Sequence, residues 1–569
     1  MNPTTSMDTK QKGSTRVADA SVIIVGGGPV GLGAALELAR FGVTSVVLEQ
    51  RESMSRHPKT RNLNTRTMEI AQGWGHGVYQ RLRGVDTPPG WKSPIRFTDA
   101  IVSDNEAQIA TPGFEGPGPQ ISPASPVMSS QDLFEPILRD AAIATGLVDV
   151  RFGHQVTAIP AGSGEGDTEA AVAVRIIKAG QTYTLTGDAI VAADGADSTV
   201  RHQLGIALTG EQGLNRFVNA YFHSDIERHL ADRSGVGFFI ANPDAVGALM
   251  PLDAHGRWMS QIGVTPEQWS PELWDDERIR AWVRGAVGVD DLEIDVKSVG
   301  LWQINATIAE RLIQGRVLLC GDAAHQFPPT GGLGLNSGLQ GVHNAMWKLA
   351  FCVRGNAGWS LIKTYDDERR QPAATAIAQS LANARSIAGI AAAAYNPAGT
   401  DLTAEHIARE TRRYGNHLGV ELGAVYHSTA VIDDGTTPPE VNDPYSDYAP
   451  SATPGCRAPH LTLGNPTEPV STLNLFGPSF TILAGPAGGS WRSAAADAAR
   501  RLAIPVASYT VGDPGLADPT DRFTDLYGIS DDGAVLVRPD GHIAWRCATG
   551  PADKNQLATA LAQILDRHP

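Results

Sequence analysis

Gly26-Gly27-Gly28-Pro29-Val30-Gly31 constrains this chain more than any other stretch. It fits G-x-G-x-x-G between a β-branched apolar run, Val22 to Val25, and a stretch from Val30 to Phe41 with helical spacing. Gly26 suits a tight turn, Gly28 lets backbone approach a pyrophosphate, and Gly31 lets helix and strand pack closely. The helix start would offer free N–H groups to phosphate. Glu49 closes the next apolar run, eighteen residues after Gly31, where a carboxylate accepts ribose hydroxyls. The spacing predicts a right-handed βαβ unit that holds an adenine dinucleotide.

The other residues must say which dinucleotide. At 569 residues the chain has room for three to five domains, with 42% apolar and 19% charged residues. The formal charge of −15, without a dense Lys/Arg run, argues against a nucleic-acid partner. The four cysteines (Cys320, Cys352, Cys456 and Cys547) are far apart, with no C-x-x-C. That fits a reducing cytoplasm, and cytoplasmic localisation is expected. Residues 1–20 are polar and are expected to be a flexible tail, not an export signal. No apolar run is long enough to predict a membrane span.

Further strands are predicted over Val150 to Ile159, Ala171 to Lys178, Thr182 to Thr186 and Asp188 to Ala193. Residues 215–265 alternate and predict a second, antiparallel sheet. Helices are expected over 336–353 and 358–395. Residues 396–460, Pro- and Asp-rich towards their end, read as a linker and draped loop. A small α/β pattern follows, with a hairpin turned at Pro539-Asp540-Gly541.

Two further motifs stand at strand ends: Asp194-Gly195 in IVAADGADSTVR, and Gly321-Asp322 in RVLLCGDAAHQFPPTGGLGLNSGLQ. With all three in order, the chain resembles the FAD-dependent aromatic hydroxylases, single-component flavoprotein monooxygenases of the p-hydroxybenzoate and phenol hydroxylase type. The resemblance covers about residues 20–395, and YAPSATPGCRAPH with the α/β pattern after it resembles the tail of the phenol and dichlorophenol hydroxylase branch. It implies an α/β fold: a Rossmann-type FAD-binding domain (21–90, 126–204, 300–395), an interleaved antiparallel-sheet substrate domain (91–125, 205–299) and a C-terminal thioredoxin-like domain (461–569). That last domain has Pro486-Ala487-Gly488-Gly489 where a redox thioredoxin would show C-x-x-C, so a structural or dimer-surface role is expected.

The resemblance also assigns residues. FAD is expected at Gly26, Gly28, Gly31, Glu49, Gln131, Asp194, Gly321, Asp322, Gly332, Leu335 and Asn336. Asn336-Ser337 reads as the capping pair of a helix whose positive end faces the flavin. One departure is Gly341 after Gln340, where family members often carry Asp. Arg139 reads equally as a pyrophosphate ligand or a surface ion pair. Arg61 falls at an active-site position of the phenol hydroxylase branch, where its charge would stabilise a phenolate. Pro329 belongs to the proline region that lines the oxygen-reacting site, and His223 and Asp225, on one strand face, are candidate bases.

By resemblance the reaction uses NADH or NADPH, O2 and a small phenolic substrate, and passes through a flavin C4a-hydroperoxide that hydroxylates the ring. A homodimer is the family's habit. The same fold also supports Baeyer–Villiger or epoxidising oxygenation of a ketone or polyketide. A flavin halogenase, a two-component partner that needs an external reductase, and a non-catalytic FAD-binding protein are the other readings.

Overall fold

The computed structural model describes residues 20–160, 171–395, 404–550 and 553–567. The expected N-terminal tail and part of the expected linker lie outside them. Among the described residues, Ala20–Val25 forms the middle of a mostly parallel sheet. Ser45–Glu49 lies on one side of it and Gln181–Ala192 on the other. Val148–Phe152 and Val317–Leu319 extend the parallel part outward. Val22, Ile23 and Ile24 are buried on both faces, which is why these strands read as unbroken apolar runs. Above them the helix Pro29–Arg40 crosses the helix Leu333–Val353. The crossing is close because it is lined by glycine: a Cβ on Gly33 would stand 2.7 Å from Leu339, and one on Gly338 2.8 Å from Val30.

Three boundaries differ from expectation. The strand predicted over Val150 to Ile159 is two, Val148–Phe152 and Gln155–Ala158, because Gly153 turns the chain at φ +71°. The helix expected over 336–353 starts at Leu333, and Gly332 at φ +66° is its N-terminal cap. Asn336 is therefore inside the first turn and does not cap it. Asp295–Gln303 runs unbroken through the boundary expected at residue 300.

The second sheet has the order 295–303, 216–223, 257–264, 246–251, 237–241, 95–98, 106–109. Its neighbours are antiparallel except Gly237–Ala241 with Ile95–Thr98. Period-2 alternation gives it two faces. Phe222, Phe238, Trp258 and Ile262 pack with Ile279 and Val283 of the helix Asp276–Val287. Phe97, Phe239, Met250, Met259 and Gln261 look the other way, onto a cavity shared with the first domain.

The last unit places Phe480–Ala484 between Val506–Thr510 and Ala534–Val537, with Ile543–Cys547 beyond. The stretch expected to be a linker contains the helices Ala404–Thr411 and Leu418–Leu422, and buries Tyr426, Ala452 and Arg457. Its Pro/Asp content marks irregular backbone, which here is packed. No helix among the described residues is long and apolar enough to cross a membrane.

Candidate active site

The glycine turn divides its work as the chemistry requires. Gly26 has φ +103°, and a Cβ there would meet Ala193 O at 2.2 Å. A Cβ on Gly31 would meet Gly26 O at 2.0 Å. At Gly28 nothing lies within 4 Å, so this position opens onto free space where the helix presents uncapped N–H groups. No acidic side chain occupies that first turn. The Glu49 carboxylate accepts from the backbone N–H of Gly27 (2.9 Å) and of Arg51 (2.9 Å), which fixes it at the strand end.

The Asp194 carboxylate works locally. It accepts from Ser198 Oγ (2.6 Å) and Val200 N (3.1 Å), and Ser198 caps the helix Thr199–Gln203. Arg201 from that helix donates to Ala323 O (3.1 Å), so the Asp194 turn is tied to the Gly321-Asp322 turn. Gly321 is left-handed, φ +60°. The Asp322 side chain is exposed, with no hydrogen bond among the described residues. Surrounding protein raises its pKa, and Lys59 pulls it back. Gln131 is buried at the start of the helix Gln131–Ala144 and donates to Glu135, whose pKa burial raises. Arg139 donates to the neighbouring Asp140 (2.9 Å) and touches Met54.

A cavity of about 810 Å³ lies between the loop Phe327–Leu335 and the open face of the second sheet. Pro329, Gly332, Leu335 and Arg61 all line it. Asn336, just behind, accepts from Asn64 N (2.9 Å) and Thr67 Oγ1 (2.7 Å), and donates to Asn62 O (3.0 Å) and Gly332 O (2.7 Å). It thereby sets the loop against the start of the helix Thr65–Gln72. Asn62 Nδ2 is buried beside Gly332 without a partner.

Arg61 donates to Pro251 O (2.9 Å) and to Val236 O, which ties the first domain to the sheet. It forms no ion pair among the described residues, and burial pushes its pKa down to about 10. Tyr414, from the stretch expected to be a linker, faces the same space, and burial pushes its phenol up to about 12 against the pull of Arg61.

His223 and Asp225 are elsewhere, which corrects the expectation for them. The strand Arg216–His223 ends before Asp225, which leads into the turn Ile226–His229. His223 Nε2 lies 2.8 Å from Tyr221 Oη, and Asp225 pairs with Arg228. Both are exposed in a separate surface groove, at the opposite strand end from the cavity-lining Phe217. Neither reaches the reacting space.

Residues 19–380 match the family described as FAD binding domain, and residues 451–568 match that described as aromatic-ring hydroxylase, C-terminal. The chain belongs to the FAD-binding aromatic-ring hydroxylases. It is 34% identical to a putative polyketide hydroxylase of Streptomyces halstedii, across 96% of each chain. It is 32% identical to the 4-methyl-5-nitrocatechol 5-monooxygenase of a Burkholderia species, across 96% of this chain and 98% of that one. The crystal structure of the flavin-dependent monooxygenase PieE, in complex with FAD and substrate, superposes with a TM-score of 0.88 at 32% identity, across 97% of this chain and all of that one.

The hydroxylase is thus a flavin-dependent oxidoreductase, and NAD(P)H is the usual co-substrate of its family. The residues present fit FAD: open space at Gly28, a fixed carboxylate at Glu49, an exposed Asp322 without a hydrogen bond, and an orphaned Asn62 amide beside Gly332. Sequence reasoning missed Tyr414 and Gln261. Tyr414 stands alone in a stretch without periodicity, and Gln261 in a strand whose cavity face only the fold defines.

Proposed function

We propose that this enzyme hydroxylates a phenolic ring of a multi-ring aromatic substrate, with FAD, NAD(P)H and O2. The cavity carries this reading. At about 810 Å³ it is near the top of the range for small-molecule sites, roughly 300–1,000 Å³. Its walls are mostly apolar and include the aromatic and thioether side chains of Phe97, Phe239, Met250 and Met259. A flavin ring and a multi-ring substrate fill such a space together, whereas a single-ring phenol leaves part of it to water. Similarity to both polyketide and catechol enzymes is consistent with an aromatic substrate, and the volume favours the larger class.

When bound, FAD supplies the activation of O2. The chain's own residues do the rest. Gly28 would admit the pyrophosphate on the turn that Gly26 and Gly31 allow, Glu49 would accept the adenosine ribose hydroxyls, and Asp322 would accept hydroxyls of the chain leading to the ring. Arg61 puts a positive charge, uncompensated by any carboxylate, beside the substrate, which favours the phenolate and so an electron-rich ring. The carboxylates that line the cavity, Asp99 and Glu106, are engaged by Asn105 and Arg96. Pro328 and Pro329 stiffen the loop, and the apolar sheet face keeps water out.

The test is NAD(P)H oxidation by the FAD-loaded enzyme with single-ring and multi-ring phenols, with O2, H2O2 and product mass followed together. Multi-ring phenols are expected to gain one oxygen atom with little H2O2, and single-ring phenols to stimulate oxidation with much H2O2. Tight coupling with single-ring phenols alone would overturn the substrate size. Oxygen insertion into ketones and into no phenol would overturn hydroxylation.

A further inference from the structure

Among the polar side chains that line the cavity, the Gln261 amide and the Tyr414 hydroxyl have no hydrogen-bond partner among the described residues and stand at the sheet face. The sheet register relates them. Gln261 pairs with Ala248, and Ala248 pairs with Phe239, so the three form one row on the cavity face. Phe239 stacks on Phe97 at 5.1 Å and meets Tyr414 edge-on, with ring centroids 6.2 Å apart. Two strand spacings separate Gln261 from Phe239, roughly 10 Å. Between them Ala248 contributes only a methyl group. Along this row an amide stands at one end and, beyond Phe239, a phenol at the other, with only a methyl group between.

We propose that a flat, multi-ring aromatic lies over Ala248, with a hydroxyl at Tyr414 and a carbonyl at Gln261. This rests on the reading of the cavity as a multi-ring aromatic site, and it names the oxygen pattern of the substrate. Each group suits its place. Gln261 offers an amide N–H to a carbonyl. Tyr414 keeps its proton at neutral pH, so it donates to a substrate oxygen, and the nearby Arg61 charge favours that oxygen as an anion. Phe239 and Phe97 supply ring faces for stacking. An apolar site with a few fixed polar groups is how small-molecule pockets set orientation, and here orientation decides which ring carbon is oxygenated.

The probes are 2-hydroxyfluorenone, which carries both groups, 2-hydroxyfluorene and fluorenone. Dissociation constants come from the flavin absorbance change of the oxidised, FAD-loaded, full-length enzyme. Tyr414→Phe, which keeps the ring contact with Phe239, is expected to weaken both hydroxyl-bearing probes roughly three- to tenfold and to spare fluorenone. Gln261→Met is expected to weaken both carbonyl-bearing probes by a similar factor and to spare 2-hydroxyfluorene. The wild type alone gives a second measurement: O-methylation of 2-hydroxyfluorene should cost a comparable factor. Equal weakening of all three probes by either variant would assign that residue a structural role and overturn the inference, as would no weakening at all. If the wild type binds and hydroxylates 2-hydroxyfluorene while the variants fail to discriminate, only this inference falls. If the wild type binds none of the probes, the multi-ring reading falls with it.

Discussion

Three glycines within six residues make different demands, so their alanine variants should fail in different ways. Gly31→Ala puts a methyl 2.0 Å from Gly26 O, and Gly26→Ala adds a clash with Ala193 to a positive φ. Both are expected to yield little folded protein. Gly28→Ala meets nothing within 4 Å, so the apoprotein should melt within about 1 °C of wild type. Its FAD affinity should nevertheless fall at least tenfold, measured by quenching of flavin fluorescence, because the methyl takes the space of the phosphates. Equal FAD affinity would show that the pyrophosphate does not approach Gly28. His325 makes a separate prediction. It is buried, its Nδ1 has no partner, and burial pushes its pKa down from 6.5 to about 4. The unfolded chain therefore takes up a proton at a higher pH than the folded one. The stability that this histidine contributes is complete above pH 6.5 and is lost as pH falls towards 4, a change of about 3 kcal/mol. Denaturant titrations of His325→Leu should show a shallower loss over that window; an unchanged slope would remove His325 from the acid response. The glycine roles were legible in the sequence because they follow from backbone geometry at fixed spacing. The burial of His325 was not, since its two-residue strand is too short to show alternation and pairs with Thr307-Ile308.

At the scale of elements, the helix Leu333–Val353 shows what local patterning leaves out. Asn336-Ser337 has the composition of a cap, yet Gly332 caps the helix one turn earlier because only a left-handed residue continues the loop there. Asn336 is thereby freed to join the loop, the helix Thr65–Gln72 and the short strand Asn62–Leu63 through four hydrogen bonds. At about 1 kcal/mol each, with buried groups left unpaired, Asn336→Ala is expected to cost about 3–4 kcal/mol. It should also release FAD from a protein that still folds at low temperature, seen as a lower melting temperature and a lost flavin absorbance. A melting temperature within 2 °C of wild type would mean that the loop is held elsewhere. His223 and Asp225 teach the reverse lesson. Alternation put them on one strand face, but the strand stops at His223, and position along a strand decides which end meets the cavity. Alternation reports a face; it does not report an end.

At the scale of the molecule, the C-terminal unit packs Phe480 against Trp347 and Phe351 of the FAD-binding unit, and a buried charge network fastens the same seam. Glu368, on the helix Ser360–Tyr395, accepts from both Arg538 nitrogens (2.6 and 2.8 Å), Lys348 Nζ (2.7 Å), Asn344 Nδ2 (2.6 Å) and Ser428 Oγ (2.6 Å). Arg538 also holds Asp540, and Arg66 donates to Asp540 O (2.7 Å). Glu368, Lys348, Arg538 and Asp540 are at most 1% exposed. Burial pushes Lys348 down to about 8, while Arg538 and Lys348 hold Glu368 ionised against its own desolvation. The hairpin turn at Asp540 was readable from Pro539-Asp540-Gly541. Its burial was not, because composition marks Arg and Asp as surface residues and their partners are about 170–200 residues away. Removing one partner from such a network strands the others in low dielectric, which costs about 3–5 kcal/mol. Glu368→Ala leaves Arg538 and Lys348 facing each other and is expected to destabilise both units at once. Calorimetry should then show one transition at a lower temperature. Added salt should not restore it, since screening acts on exposed charges and these are sealed. Two separated transitions, with the FAD-binding unit melting at its wild-type temperature, would mean that the C-terminal unit folds and fails on its own.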